Sequence, residues 1–363
     1  MSTLSVARRA GTALVASALA ASLVASGDPA HAVSSSSPAG HGATWLSHQL
    51  NSKGLIHNRQ FKFDDYGLTA DTALALRAIG GHKKDVRHAR HALARHAVDY
   101  TTFGTDRYAG ATAKLTVVAQ QTGGDARHFG GINLVKRLAQ RVATGAPIAG
   151  RIEDRSTSGD FANTIGQVFA VRGLLKAGDP AGRSALKFLL RQQCGNGYFR
   201  LNFNTDKTAR DQGCGKGDPA DTDVTALAVV ELAPVAKGHG RLKKDLAKAT
   251  RWLKRHQKDN GSFGGGPSTS AANANSTGLA GWAFQAEGKC GAARDAARWV
   301  ARLQVTGNVS GTPLAGERGA IAYDRATMKL AKRDGIDKTT RDQWRRAGAQ
   351  AAPALLALSR CRS

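Results

Sequence analysis

Beyond residue 32 the chain has no stretch apolar enough to cross a bilayer, so no spanning helix is expected there. Acidic side chains are scarce as well, 27 against 52 basic ones, which leaves a formal balance of +25. Such a surface is attracted to polyanions, among them wall teichoic acids, acidic glycans and anionic lipid. No nucleic-acid-binding motif accompanies the charge, so nucleic acid is not an expected partner. Cysteine is sparse: Cys194, Cys214, Cys290 and Cys361. No two of them lie at metal-ligand spacing, so neither a metal nor a cofactor is expected. Four cysteines in an exported chain read instead as two disulfides with three pairings open; the nearest-neighbour choice is Cys194–Cys214 and Cys290–Cys361.

What is present begins with a targeting segment. Arg8 and Arg9 precede the apolar run Ala10 to Ser26, and Ala30-His31-Ala32 offers a small-x-small cleavage site. Residues 1–32 are therefore expected to be a signal peptide and the mature protein to be secreted, with wall association one outcome of its charge. Removing Arg8, Arg9 and Asp28 leaves 50 basic and 26 acidic residues, a balance of +24. Residues 33–41 (VSSSSPAGH) read as a Ser-rich linker. Residues 42–363 read as a single repeat domain.

The repeat is a Thr-marked, Ala/Leu/Val-rich helix that stops at Gly or Pro. Its copies are ADTALALRAIGG, GATAKLTVVAQQTGG, ANTIGQVFAVRGLLKAG, DVTALAVVELAP, NSTGLAGWAFQAEG and RATMKLAKRDG, marked by Thr72, Thr112, Thr164, Thr225, Thr277 and Thr327. Asp, Asn and Ser suit the helix start and Gly the position after its end. Each copy alternates with a basic amphipathic helix, clearest in RLKKDLAKATRWLKRHQ, where Leu242, Leu246, Ala249 and Leu253 share one face. The last of these partner helices is read around DQWRRAGAQAAPALLAL, and ATWLSHQL makes a seventh. Six small-residue helices ringed by amphipathic ones predict an all-α fold, an α/α toroid of about six helix pairs, with an open solenoid as the competing arrangement.

Between outer and inner helices recurs an aromatic-Leu, Gln, Gly-aromatic string. It is clearest in TRWLKRHQKDNGSFG (Trp252, Gln257, Gly261, Phe263) and KFLLRQQCGNGYF (Phe188, Gln192, Gln193, Gly197, Tyr198), and weaker around Trp45 and Trp299. It resembles the QW motif of the prenyltransferase/squalene-cyclase repeat superfamily, whose members include terpene cyclases, prenyltransferase β subunits, thioester domains and cobalamin carriers. The resemblance covers residues 42–363 and implies the toroid. The motif residues themselves read as staples, Gln bonding the free N–H groups of a neighbouring helix start and the aromatic ring filling the gap between units.

DTDVTALAV resembles the acidic DxDDTA motif of class II cyclases. That likeness implies Asp223 as proton donor with Asp221 beside it, although Val224 replaces the last acidic residue. A helix N-cap cluster explains the same string. GCGK at 213–216 lacks the Gln that a thioester needs, and no Asp-x-Cys pair offers a prenyltransferase zinc site. His88 and His91 sit among arginines, which disfavours a cation. Aromatic and carboxamide or carboxylate residues gather instead where inner helices start. Tyr66, Asp71, Tyr108, Phe161, Asn163, Tyr198, Phe203, Asn275 and Tyr323 are the candidate ligand-binding residues of a rim bowl. Three functions fit this sequence. One is a secreted protein that binds a small molecule or glycan at the rim. Another is a reduced cyclase-like or polysaccharide-cleaving enzyme using Asp223 and Asp221, and the third is a cationic wall-associated structural protein.

Overall fold

The computed structural model describes residues 33–361; the expected signal peptide 1–32 and the last two residues lie outside the described residues. In chain order the elements are α1 (Pro38–Ser47), a hairpin of β1 (His57–Asn58) and β2 (Phe63–Asp64), α2 (Tyr66–Ile79), α3 (Lys83–Arg95), α4 (Ala97–Thr101), a second hairpin of β3 (Thr102–Phe103) and β4 (Asp106–Arg107), and α5 (Ala109–Gln121). There follow α6 (Leu134–Ala139), α7 (Thr164–Lys176), α8 (Ala181–Arg191), α9 (Thr222–Leu232), α10 (Gly240–His256), α11 (Ala274–Ala286), α12 (Cys290–Ala301), α13 (Arg325–Asp334), α14 (Arg341–Ala351) and α15 (Ala357–Arg360). A 3₁₀ turn, Ala352–Leu356, joins the last two helices. No helix among the described residues is long and apolar enough to cross a membrane.

The inner ring runs α2, α5, α7, α9, α11, α14 and back to α2, each helix packed on the next. Outside it α3 backs α2, α6 backs α5, α8 backs α7, α10 backs α9 and α12 backs α11, while α1 covers the seam between α14 and α2. This is the expected toroid, and its closure excludes the open solenoid. Small residues set the inner spacing: Gly110 lies against Gly166, Gly173 against Thr116, and Gly278 against the Ala351 backbone. Close contact of this kind lets six helices share one narrow centre.

Two corrections follow. The sixth inner helix is α14, not the Thr327 helix α13. Only Met328 and Ala331 of α13 are buried, whereas α14 buries Trp344, Arg345, Ala347, Gly348, Ala349 and Ala351. The segment DQWRRAGAQAAPALLAL, expected on the outside, thus closes the ring. Helix α1 begins at Pro38, inside the segment 33–41 expected as linker, because the Ser37 side chain accepts the Gly40 N–H and Pro38 fits the first turn.

The repeat is also more regular than the marked threonines suggested. A polar cap is followed four residues later by a side chain that holds the rim segment. Asp65 caps α2 and Thr69 Oγ1 accepts the Ile56 N–H; Asp221 caps α9 and Thr225 accepts that of Phe199; Asn273 caps α11 and Thr277 accepts that of Phe263. In α7 the cap is Asn163 and Gln167 Oε1 takes the Ile152 N–H. Thr72 and Thr164 are out of this register, and their buried hydroxyls lack partners.

The QW glutamines act as donors rather than as acceptors of free N–H groups. Gln257 Nε2 donates to the carbonyls of Gly261 and Ala292, Gln193 Nε2 to those of Gly197 and Asp245, and Gln304 Nε2 to those of Pro38 and Gly319. Each therefore ties a rim turn to a neighbouring outer helix. Cys194 is bonded to Cys214 and Cys290 to Cys361, the nearest-neighbour pairing.

Helix α14 runs parallel to α11, since Gly278 meets Ala351, Gly281 meets Ala354, and Gln285 Nε2 donates to the Pro353 and Ala354 carbonyls. Ala351 lies ten residues from the start of α14 and Gly278 four from the start of α11. The first six residues of α14, about 9 Å, therefore overhang the level at which α11 begins.

Candidate functional site

The inner helices bring their starts to one rim, where caps and hairpins crowd around three adjoining cavities. The largest, about 880 Å³, lies over α7 and α9 and is lined by Arg200, Asn202, Phe203, Asp221, Asp223 and Thr269, among others. A second of about 280 Å³ between α5 and α7 is lined by Tyr100, Tyr108, Lys114, Phe161, Asn163 and Phe169. The third, about 190 Å³, is the lumen, to which every inner helix contributes. Asp71 and Leu74 come from α2, Lys114 from α5, Ile165 and Phe169 from α7, and Asp223, Leu227 and Glu231 from α9. Leu279 and Trp282 of α11 and Ala349 and Gln350 of α14 complete it. Asp223 and Ile165 wall both the first cavity and the lumen; Lys114 and Phe169 wall both the second and the lumen. The two vestibules thus converge on a common floor. A hollow of about 520 Å³ beside residues 139–153 lies elsewhere and has Glu153 as its one acid or base.

The two aspartates of DTDVTALAV differ in role. Asp221 Oδ1 accepts the Val224 N–H at 2.9 Å and is the N-cap of α9. Burial raises its pKa and the backbone N–H groups of Val224 and Asp223 oppose the rise. Asp223, two residues on, is not a cap. Its Oδ1 is buried without a hydrogen-bond partner. Burial pushes its pKa up to about 6, with the neighbouring Asp221 charge adding to the shift and the nearby Ser276 hydroxyl opposing it. A carboxylate in such a place loses hydration it cannot replace, so the neutral acid is favoured and can donate a proton or a hydrogen bond into the cavity.

Deeper in the lumen lies a charged layer. Lys114 Nζ bonds both oxygens of Asp71, at 2.8 and 3.1 Å, and stands 5.7 Å from the centre of the Phe169 ring. Burial alone would lower the Lys114 pKa, but Asp71, Tyr100 and Asp65 hold it above its ordinary value, so it stays charged. Glu231 is 3% exposed; its Oε2 accepts from Gln121 Nε2 at 2.9 Å and lies 4.0 Å from Arg172 Nε. Burial raises its pKa to about 7, against the opposing pull of Arg172 and Gln121.

Both raised acids make the folded protein hold protons that the unfolded chain releases. Their stabilising contribution is full below about pH 4, where the unfolded groups titrate, and is lost as pH rises through about 6 for Asp223 and about 7 for Glu231. The melting temperature is therefore expected to fall between pH 5 and pH 8. Glu231→Gln should flatten the upper part of that fall by removing a term on the order of 2–3 kcal/mol. A variant with the wild-type slope in a pH series of thermal melts would show that Glu231 does not titrate there.

The expected rim residues divide. Tyr108, Phe161 and Asn163 share the second cavity, Phe203 with Asp221 and Asp223 lines the first, and Asp71 reaches the floor. Others serve packing. Tyr198 donates to the Asp218 carbonyl and its ring lies 5.5 Å from Trp252; Tyr66 bonds His96 Nδ1 and stacks on its ring. The Tyr323 carbonyl accepts the Ala274 N–H, and the Tyr323 ring is near enough to Asp223 to have its pKa raised, burial being the larger cause. Asn275 is in the first turn of α11 with its Oδ1 buried and unpartnered, the true cap being Asn273. Lys114, Glu231, Phe169 and Trp282 were not among the expected residues, although a lone Lys or Glu inside an otherwise apolar inner helix was a visible signal. Phe61, Phe103 and Phe161 stand 68%, 77% and 63% exposed on the rim segments that lead to α2, α5 and α7.

No protein-family model matches the sequence, and no curated protein does. Solved structures do match. The apo type II terpene cyclase MstE from Scytonema is 14% identical with a TM-score of 0.60, over 88% of this chain and 97% of that one. A protein from Actinoplanes is 16% identical with a TM-score of 0.59, over 88% and 98%. The unsaturated glucuronyl hydrolase from Bacillus sp. GL1 is 13% identical with a TM-score of 0.57, over 89% and 96%. At these identities the likeness is one of fold: the chain is an α/α toroid, the architecture it shares with the cyclase and the hydrolase alike.

Proposed function

We propose that the protein binds a small amphiphilic molecule, its apolar end in the lumen and its polar head in the large vestibule. The observation that carries this reading is the position of Asp223, whose buried, unpartnered Oδ1 lies on the wall common to the two cavities. A vestibule of about 880 Å³ is of ligand-pocket size. The lumen, about 190 Å³, is a little larger than the roughly 150 Å³ apolar cavity that takes up one benzene ring, so it suits one ring or the end of an isoprenoid chain. Ile165, Phe169, Leu227, Leu279 and Trp282 supply its apolar contacts, and below about pH 6 a neutral Asp223 donates to a carbonyl or hydroxyl of the head. A glycan fits the polar vestibule but leaves those apolar side chains of the lumen uncovered. The two disulfides support an oxidising, extracellular setting.

Acid catalysis is the second reading, favoured by the same carboxyl. With its pKa near 6 it holds a proton at mildly acidic pH, as a proton-initiated cyclisation requires. The test uses geranylgeranyl dihydroxybenzoate, the substrate named for an MstE variant complex. At a hundredfold excess over Kd, binding stabilises the fold by about 2.7 kcal/mol and raises the melting temperature by a few degrees. Under the binding reading Asp223→Asn keeps most of that rise, Phe169→Ala loses it, and no product forms with either protein. Product that forms with the wild type and disappears in Asp223→Asn would establish catalysis instead. A melting temperature unmoved by this compound and by simpler prenyl alcohols would overturn the proposal.

A further inference from the structure

Outside the lumen, the overhanging start of α14 forms a cleft of about 270 Å³ with the residues that follow α1 and with the first hairpin. Its walls carry Arg59, Arg341 and Arg345, together with His48 and His57. Nearby acids answer only part of this charge. Glu317 pairs with Arg341 at 2.7 Å, Asp64 bonds His57 Nδ1 at 2.8 Å, and the two carboxylates whose charge reaches Arg345, Asp65 and Asp342, are paired with Arg346 at 2.6 and 2.9 Å. Arg345 is 7% exposed and forms no ion pair among the described residues. Its Nε donates to Gln49 Oε1 at 3.1 Å and its Nη1 to the His57 carbonyl at 3.0 Å, so two neutral acceptors fix the plane of the guanidinium. Its Nη2 donates to no group among the described residues. Arg59 is exposed and makes no hydrogen bond or ion pair there.

A buried guanidinium without a counter-anion is costly, and here its neighbours add like charge. Burial, then Arg341 and Arg59, lower the Arg345 pKa to about 10 against the opposing charges of Asp342 and Asp65, so the ion is held at a cost that an anion in the cleft would offset. Oriented guanidinium groups suit a tetrahedral oxyanion, which accepts several charge-assisted hydrogen bonds at once. We propose that this cleft is a binding site for a phosphate group, held by Arg345 Nη2 from within and by Arg59 from the hairpin. The site is separate from the vestibules, and it holds whether or not the lumen binds an amphiphile. Its phosphate could be the free ion or a phosphodiester within an anionic polymer.

The test is a calorimetric titration at pH 7 and fixed ionic strength, with inorganic phosphate in one arm and poly(glycerol phosphate) in the other. Arg59→Ala and Arg345→Gln should each weaken phosphate binding about tenfold, the loss of one charge-assisted contact. Lys244→Ala, which removes an exposed charge on α10, should change nothing. Arg59→Ala touches no packed group, so it reads the site even where Arg345→Gln destabilises the fold. Sensitivity of the polymer arm to the same two substitutions would identify a chain-linked phosphate; sensitivity of the inorganic arm alone would identify the free ion. Wild-type phosphate affinity in Arg59→Ala, or an equal loss in Lys244→Ala, would reduce the cleft to diffuse surface charge and overturn the proposal.

Discussion

Replacing Gly278 with alanine is expected to destabilise the protein by about 3 kcal/mol, whereas Gly281→Ala, one turn along the same helix, should lie within about 1 kcal/mol of wild type. A methyl group at 278 would run into the backbone of Ala351 and the carbonyl of Gln350, which cannot step aside without moving α14. At 281 it meets the methyl groups of Ala296 and Ala354 at 3.0 and 3.1 Å, a tight fit that small shifts relieve. Both changes gain up to about 1 kcal/mol of helix propensity, so the contrast isolates the contact between α11 and the closing helix. Denaturant unfolding of the two variants reads it directly. Equal effects would mean that α14 does not pack as closely as described.

Converting Cys290 and Cys361 together to serine should cost about 4 kcal/mol, the loop-entropy term for a bridge spanning 71 residues. The bond ties the start of α12 to the end of α15, and α15 packs on α12. Its loss should therefore free the C-terminal turn first. Limited proteolysis would then cut near Ala357–Arg360 before the ring opens. A change in unfolding free energy below about 1 kcal/mol would show that packing alone secures this end.

Much of the ring could be read from composition because an inner helix is buried nearly all round and must be made of small apolar residues. That requirement marked α2, α5, α7, α9 and α11 without reference to their neighbours. It also applied to AGAQAAPALLAL, but Trp344, Arg345 and Arg346 gave α14 the look of an outer helix. Amphipathicity reports that one face is buried and is silent on what covers it. In α13 Asp324 caps the helix and accepts the Thr327 N–H, but Thr327 stands three residues after the cap rather than four and Met328 occupies the rim-holding position; a cap fixes where a helix starts and not where it packs. The site was legible to a similar degree. Asp223 was singled out by the likeness of its string to the cyclase motif, whereas the pairing of Asp71 with Lys114 links residues 43 apart on two helices. No local pattern encodes that contact; it needs the circular order of helices to be known. The cleft beside Arg345 was hidden for the same reason, since its walls come from residues 48–59 and 341–345.

The seam joins the beginning of the described chain to its end: Trp45 Nε1 donates to Glu317 at 2.8 Å, Arg346 pairs with Asp65 at 2.6 Å, and Gln304 reaches the Pro38 carbonyl. A circle, unlike a stack, has no intermediate length at which every flank is covered. During synthesis the flank of α2 that awaits α14 stays wet until the chain has grown by the 281 residues that separate Asp65 from Arg346, so contacts of the longest sequence separation must form last. The number of helix pairs is likewise frozen, because inserting or deleting one would force every remaining pair to a new angle.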